Sequence, residues 1–229
     1  MAGPDLRFAF VTSTAGGVMN ELLGNRFLKS HVHSVVADRP CEALAKAAQH
    51  GIPAKLIDAP QPAAFGEHLT RYMEDNGIDY ILSFYTQFYS KGFRDHFRDR
   101  IINSHPSLLP AFKGMRGFED GVAYHCKIVG STTELIRDVM DEGAIVMQAA
   151  TAVDLNKDLA VTRHRVFVQQ CKSMLQTVKW LVDGRLSVDG ERVLIRDARY
   201  GSPEFSPALD FDQAINWEIP MPGHFSWPA

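Results

Sequence analysis

At 229 residues with 45% hydrophobic content, the chain can bury a substantial core as one large domain or two small ones. A formal net charge of −3, with no segment concentrating Lys or Arg, lacks the electrostatic footprint of a nucleic-acid binder. Met1 to Arg7 has no basic region leading into an apolar stretch, and no apolar run approaches membrane-spanning length, so the reading is a cytoplasmic chain without a membrane partner. The three cysteines, Cys41, Cys126 and Cys171, are an odd number without CxxC spacing, which argues against a disulfide framework or a zinc site.

Phe8-Ala9-Phe10-Val11 reads as a strand, Thr12 to Gly17 as a loop, and Val18 to Leu23 as a helix. Ser34 to Ala37 is a second strand, and Glu42 to His50 a helix stopped by Gly51-Ile52-Pro53. A helix over 63–76 leads through Gly77 to the strand Tyr80 to Ser83, and another helix precedes Ile101-Ile102. This alternation predicts a parallel sheet covered by helices on both faces. Phe112 to Gly121 is loop and short helix, and Thr132 to Ile136 and Ile145 to Ala149 are strands joined around Asp141-Glu142-Gly143, an Asp and Gly combination suited to a turn. Asp158 to Val182 is a long helix closed by Asp183-Gly184. Beyond it, five prolines and several aromatics predict an irregular tail that covers an acceptor cleft or a dimer interface through Phe205, Phe211, Trp217, Phe225 and Trp227.

The chemistry concentrates in Asn103-Ser104-His105-Pro106-Ser107-Leu108-Leu109-Pro110. Asp99 to Ile102 reads as a short strand ending at Asn103; in extended chain, residues two apart share a face, so Asn103 and His105 aim at one point. Pro106 stops the strand and biases His105 toward extended backbone. An amide N–H and an imidazolium are suitable donors to the oxyanion that forms when an amine attacks a formyl carbon. No G-x-S-x-G or recognisable catalytic Cys is present, so direct transfer fits better than a covalent intermediate. A carboxylate on a nearby turn would relay the amine's proton, and Asp141 is the candidate.

Asn103-x-His105-Pro106-Ser107-Leu108-Leu109-Pro110-Ala111-Phe112-x-Gly114, followed by Met140-Asp141-Glu142-Gly143-Ala144-Ile145-Val146-x-Gln148-Ala149, resembles the glycinamide ribonucleotide transformylase branch of the 10-formyltetrahydrofolate-dependent formyltransferases. The resemblance runs from about Phe8 to Leu186 and leaves the tail uncovered. It implies an α/β, Rossmann-like formyltransferase fold over 1–186, with an acceptor-side half at 1–100, a catalytic and folate-side half at 101–186, and a C-terminal extension at 187–229. It implies 10-formyltetrahydrofolate as formyl donor, a small-molecule amine acceptor, and a catalytic set on Asn103, His105 and Asp141. The pterin-binding segment falls on Gln87, Phe88 and Tyr89, largely through backbone groups. The closing turn falls on Val139, Met140, Glu142 and Gly143 around Asp141. Phe84 and Tyr85 are placed to border the folate, since ligands gather outside the carboxyl ends of strands in open parallel sheets.

The acceptor half departs from the family pattern. The phosphate loop becomes Ser13, Thr14, Ala15, Gly16 and Gly17, followed by apolar Val18 and Met19. Backbone N–H groups there can still hold an anion, though a tight turn explains the glycines equally well. The family's Glu-His pair falls on Gln170-Cys171, where Gln170 is an acceptor ligand or an ordinary packing residue. Glu134 replaces a histidine, and Ala144 a proline. Glycinamide ribonucleotide is therefore the default acceptor by resemblance, with an amino sugar or amino acid derivative as alternatives. Hydrolysis of the formylfolate, or folate or nucleotide binding without catalysis, are the other readings. His31-Val32-His33 offers no third ligand, so no metal is assigned, and Arg94 to Arg100 reads as a solvated mixed-charge face.

Overall fold

The computed structural model describes residues 5–59 and 61–222, and the chain divides into two compact units. The first comprises 1–103 and 135–144; the second comprises 104–134 and 145–229.

In the first unit the strands β1 (Phe8–Thr12), β2 (Val32–Ala37), β3 (Ala54–Leu56), β4 (Tyr80–Phe84) and the start of β5 (Ile101–His105) run parallel in the order β3-β2-β1-β4-β5. All five residues of β1 are buried, because a parallel strand covered on both faces needs a continuous apolar run rather than alternation. The chain adds β2 and β3 on one side of β1, then returns to place β4 on the other. The carboxyl ends of β1 and β4 are thus the switch point of the sheet, the place where open α/β sheets generally bind their ligands. Helices α1 (Gly17–Gly24), α2 (Arg26–His31), α3 (Glu42–Gln49), α4 (Pro62–Asp75) and α5 (Lys91–His96) make the crossovers. Helix α4 begins with Pro62 at its first position, where the missing N–H costs nothing, and buries Phe65, Leu69 and Met73 at four-residue spacing. Phe65, Tyr85, Tyr89, Phe93 and Phe97 form a continuous aromatic row with successive centroids 5.1, 4.6, 4.9 and 4.9 Å apart.

The second unit holds the end of β5, helix α6 (Gly117–Ala123), most of β6 (Ile128–Leu135) and β7 (Ala144–Ala152), and helix α7 (Leu159–Val182). Asp158 caps α7 by accepting from the Ala160 N–H at 2.8 Å. Gly130 is required by close approach: a Cβ there would lie 1.9 Å from the Ala149 carbonyl oxygen.

Four expectations are corrected. Helix α2 and strand β3 add to the elements read from the sequence; β3 is only three residues long with none of them buried, so it carries no burial pattern. Strand β5 begins at Ile101 and continues through His105, because Asp99 has positive φ and cannot extend the strand, while the first residue without an N–H is Pro106. The strand β6 starts at Ile128 rather than Thr132. Among its described residues the tail is irregular only in part: it carries a hairpin of β8 (Leu186–Asp189) and β9 (Arg192–Ile195), strand β10 (Phe205–Ser206) antiparallel to β7, and helix α8 (Asp212–Ile215). Polar groups fasten it to α7. Asp210 accepts from Gln176 at 2.8 Å and from the Trp180 indole at 3.0 Å, and pairs with Arg185 at 2.8 Å. The Gln176 side-chain oxygen Oε1 in turn accepts from the Asp210 and Phe211 N–H groups. Phe205 is buried and Trp217 half-buried; Phe225 and Trp227 lie outside the described residues.

Candidate active site

Asn103 and His105 occupy alternate positions at the carboxyl end of β5, so their side chains leave the strand on one side. The His105 ring is buried and its Nε2–H donates to the Phe112 carbonyl at 2.9 Å. A carbonyl only accepts, so Nε2 carries the proton in that bond. Phe112 has φ 54, a left-handed conformation that turns its carbonyl back toward β5.

The segment between them is held by its own polar scaffold. The Ser107 hydroxyl donates to Ala111 O at 2.6 Å. The fully buried Thr132 hydroxyl donates to Ser107 O at 2.7 Å and accepts from Leu109 N at 3.0 Å. Gln148 Nε2 donates to Leu109 O at 2.8 Å and to Thr132 Oγ1 at 3.2 Å. Thr132 and Gln148 thus fix the backbone after the Asn-x-His pair, a role that spacing did not reveal because the partners are backbone groups.

Gln170 is buried and donates to Ser104 O, between Asn103 and His105, at 3.3 Å. Its amide supports β5. In the first unit Asp141 stands half-buried in a turn at φ 56, with the Glu142 N–H donating to Val139 O at 3.3 Å. Val139, Met140 and Glu142 are exposed there, and Gly143 half-exposed.

The loop after β1 spends part of its polarity internally. Ser13 is buried, its hydroxyl accepting from Thr86 N at 3.2 Å and its N–H donating to Phe84 O at 3.4 Å. These bonds tie the end of β1 to the end of β4. Ala15 O accepts from Lys46 at 2.8 Å, and Gly16, at φ 63, caps α1. Thr14, Ala15 and Gly17 remain exposed.

Gln87 and Phe88 lie in the loop after β4, Gln87 exposed and Phe88 beneath the Arg94 guanidinium at 4.1 Å. The Tyr89 side chain is core: its hydroxyl meets Ser83 Oγ at 2.9 Å, and its carbonyl accepts from Arg94. Burial, with the nearby Asp38 charge adding to it, pushes the Tyr85 hydroxyl up to about 12, and burial raises Tyr89 as well. Both are neutral phenols at ordinary pH. Among the described residues no group of three or more His, Cys, Asp or Glu is arranged to hold a metal ion, and no helix is long and apolar enough to cross a membrane.

A family model described as formyl transferase matches residues 6–178. The chain is 29% identical over 202 residues to the phosphoribosylglycinamide formyltransferase of Mycobacterium tuberculosis, covering 82% of this chain and 94% of that protein. It is 27% identical over 150 residues to a formyltetrahydrofolate deformylase of Corynebacterium sp., covering 64% of this chain and 50% of that protein. Its fold is similar to the crystal structure of glycinamide ribonucleotide transformylase 1 from Symbiobacterium toebii, with TM-score 0.79 and 27% identity over 85% of this chain and 96% of that one. With most of its length matched by the family model, the chain belongs to the formyl transferase family.

Proposed function

We propose that this enzyme transfers a formyl group from 10-formyltetrahydrofolate to the primary amine of glycinamide ribonucleotide, with Asn103, His105 and Asp141 as its catalytic set. The observation that carries the reading is the placement of Asn103 and His105 at alternate positions on the carboxyl end of β5, the end of a parallel strand where ligands bind in open α/β sheets. Relatives named phosphoribosylglycinamide formyltransferase favour glycinamide ribonucleotide over an amino sugar or amino acid derivative.

In this mechanism the amine attacks the formyl carbon, and the Asn103 amide and the His105 imidazolium donate to the oxyanion. Asp141, directly or through water, takes up the amine's proton and passes it to the folate nitrogen, so that the bond from the formyl carbon to that nitrogen breaks and tetrahydrofolate leaves with an N–H. Gln87, Phe88 and Tyr89 with the 139–143 turn hold the pterin. The Ser13 to Gly17 loop faces the acceptor phosphate through the backbone N–H groups of Ala15 to Gly17, those of Ser13 and Thr14 being engaged by Phe84 O and Thr12 Oγ1. The Gln170 amide is already engaged with Ser104 O, which favours a supporting role over direct contact with the acceptor.

The test is steady-state formylation of glycinamide ribonucleotide by wild type and His105→Ala. Loss of one oxyanion donor should cost about 2.7–4 kcal/mol, a fall in kcat of about 10²–10³. Undiminished turnover in the variant would remove His105 from the mechanism. The deformylase relative supplies the second reading, and folate-dependent formate release with no amine present would favour it.

A further inference from the structure

Resting on the reading of His105 as a catalytic group, we infer that Gly117 and the Phe112 carbonyl are positioning elements that fix the direction of its imidazole and hold the proton on Nε2. The Phe112 carbonyl receives Nε2–H at 2.9 Å. Because that oxygen has no proton to give, Nε2 stays protonated whether the ring is neutral or charged.

Gly117, the first residue of α6 and itself buried, supplies the room for this arrangement. A Cβ there would lie 2.7 Å from His105 Nε2, 2.9 Å from Phe112 O and 3.1 Å from Ser107 Cβ. It would therefore crowd both ends of the hydrogen bond at once. To reach an ordinary contact of 3.4 Å, the ring nitrogen must retreat by 3.4 − 2.7 = 0.7 Å. The Ser107 hydroxyl bond to Ala111 O and the Thr132 bonds to Ser107 and Leu109 leave the carbonyl side little freedom to move instead. Gly117 is thus selected by the imidazole it faces.

The contrast lies four residues on. At Gly121, also buried in α6, a Cβ would meet the Phe112 ring and Val129 at 3.6 Å, an ordinary contact. Gly121→Ala is the matched control.

The experiment has two arms. In the first, nitrogen-15 histidine spectra of the wild-type chain should show a slowly exchanging His105 Nε2–H proton, with the neutral ring protonated on Nε2. A His105 ring carrying its neutral-state proton on Nδ1 would overturn the inference even if Gly117→Ala fails to fold. In the second, Gly117→Ala should lower kcat about 10- to 100-fold, the range expected for a sub-ångström misplacement of a reacting group. KM for the folate should stay within about twofold, and the slowly exchanging Nε2–H proton should be lost, while Gly121→Ala keeps wild-type kcat. Unchanged kcat in folded Gly117→Ala would also overturn it. Failure of the catalytic reading looks different: His105→Ala would keep its turnover while the wild-type Nε2–H signal remained.

Discussion

Thr132→Val offers a clean test of the scaffold behind the Asn-x-His strand, because valine replaces the hydroxyl by a methyl of nearly the same size and leaves no cavity. Thr132 is fully buried, and its hydroxyl serves Ser107 O, Leu109 N and Gln148 Nε2. Gln148 keeps its other bond to Leu109 O at 2.8 Å and is half-exposed, so its loss is small. The Ser107 carbonyl and the Leu109 N–H belong to buried residues and lose a partner outright. At about 1–3 kcal/mol for each orphaned buried group, less the desolvation that the hydroxyl no longer suffers, the net cost is about 2–4 kcal/mol. For a chain of this size that corresponds to a fall in Tm of roughly 5–15 °C. Thermal unfolding followed by circular dichroism, with urea titration alongside, measures both. Thr132→Ser keeps the hydroxyl and should recover most of the loss. A Thr132→Val chain within about 0.5 kcal/mol of wild type would show that these bonds do not hold the segment.

Two further outcomes follow from groups the structure buries. Tyr85 titrates near 12 in the folded chain against 10 for an ordinary tyrosine, and Tyr89 is raised too. The unfolded chain therefore loses those protons first, so their stabilisation is complete below pH 10 and is lost as pH climbs toward 12. Tm should drop across that window, less steeply in Tyr85→Phe, and an identical slope in that variant would exclude Tyr85 as a cause. Asp210→Ala should cost about 3–5 kcal/mol, since Arg185, itself largely buried, and the Trp180 indole lose their shared acceptor. Limited proteolysis should then cut the tail that wild type protects, and equal protection would show that the network does not anchor it.

Local pattern carried the elements whose burial is continuous or periodic. The all-buried run of β1, the four-residue spacing of Phe65, Leu69 and Met73, and the Asp158 cap are written in adjacent letters, because strand and helix periods place those side chains on one face wherever the element lies. Asn103 and His105 were legible for the same reason: alternation along one strand needs no knowledge of anything else in the chain. The three exposed residues of β3 carried no such mark, and neither did the tail, whose order comes from Asp210 and Gln176 side chains meeting partners about thirty residues away.

The amino-acid sequence by itself determined the parallel α/β frame and singled out the side chains proposed to react, since the frame follows from short-range periodicity and the candidates from residue chemistry and family resemblance. Only the tertiary structure decided how those side chains are held: the Phe112 carbonyl on His105 Nε2, the Gly117 clearance beside it, the Thr132 hydroxyl on the following backbone, and Gln170 on Ser104 O, 66 residues away. The physical reason is that these supports act on backbone carbonyls and N–H groups, or consist of the absence of a Cβ. Every residue possesses the former, so no letter announces which of them will be used, and a glycine's empty space has meaning only once the fold has brought a neighbour against it.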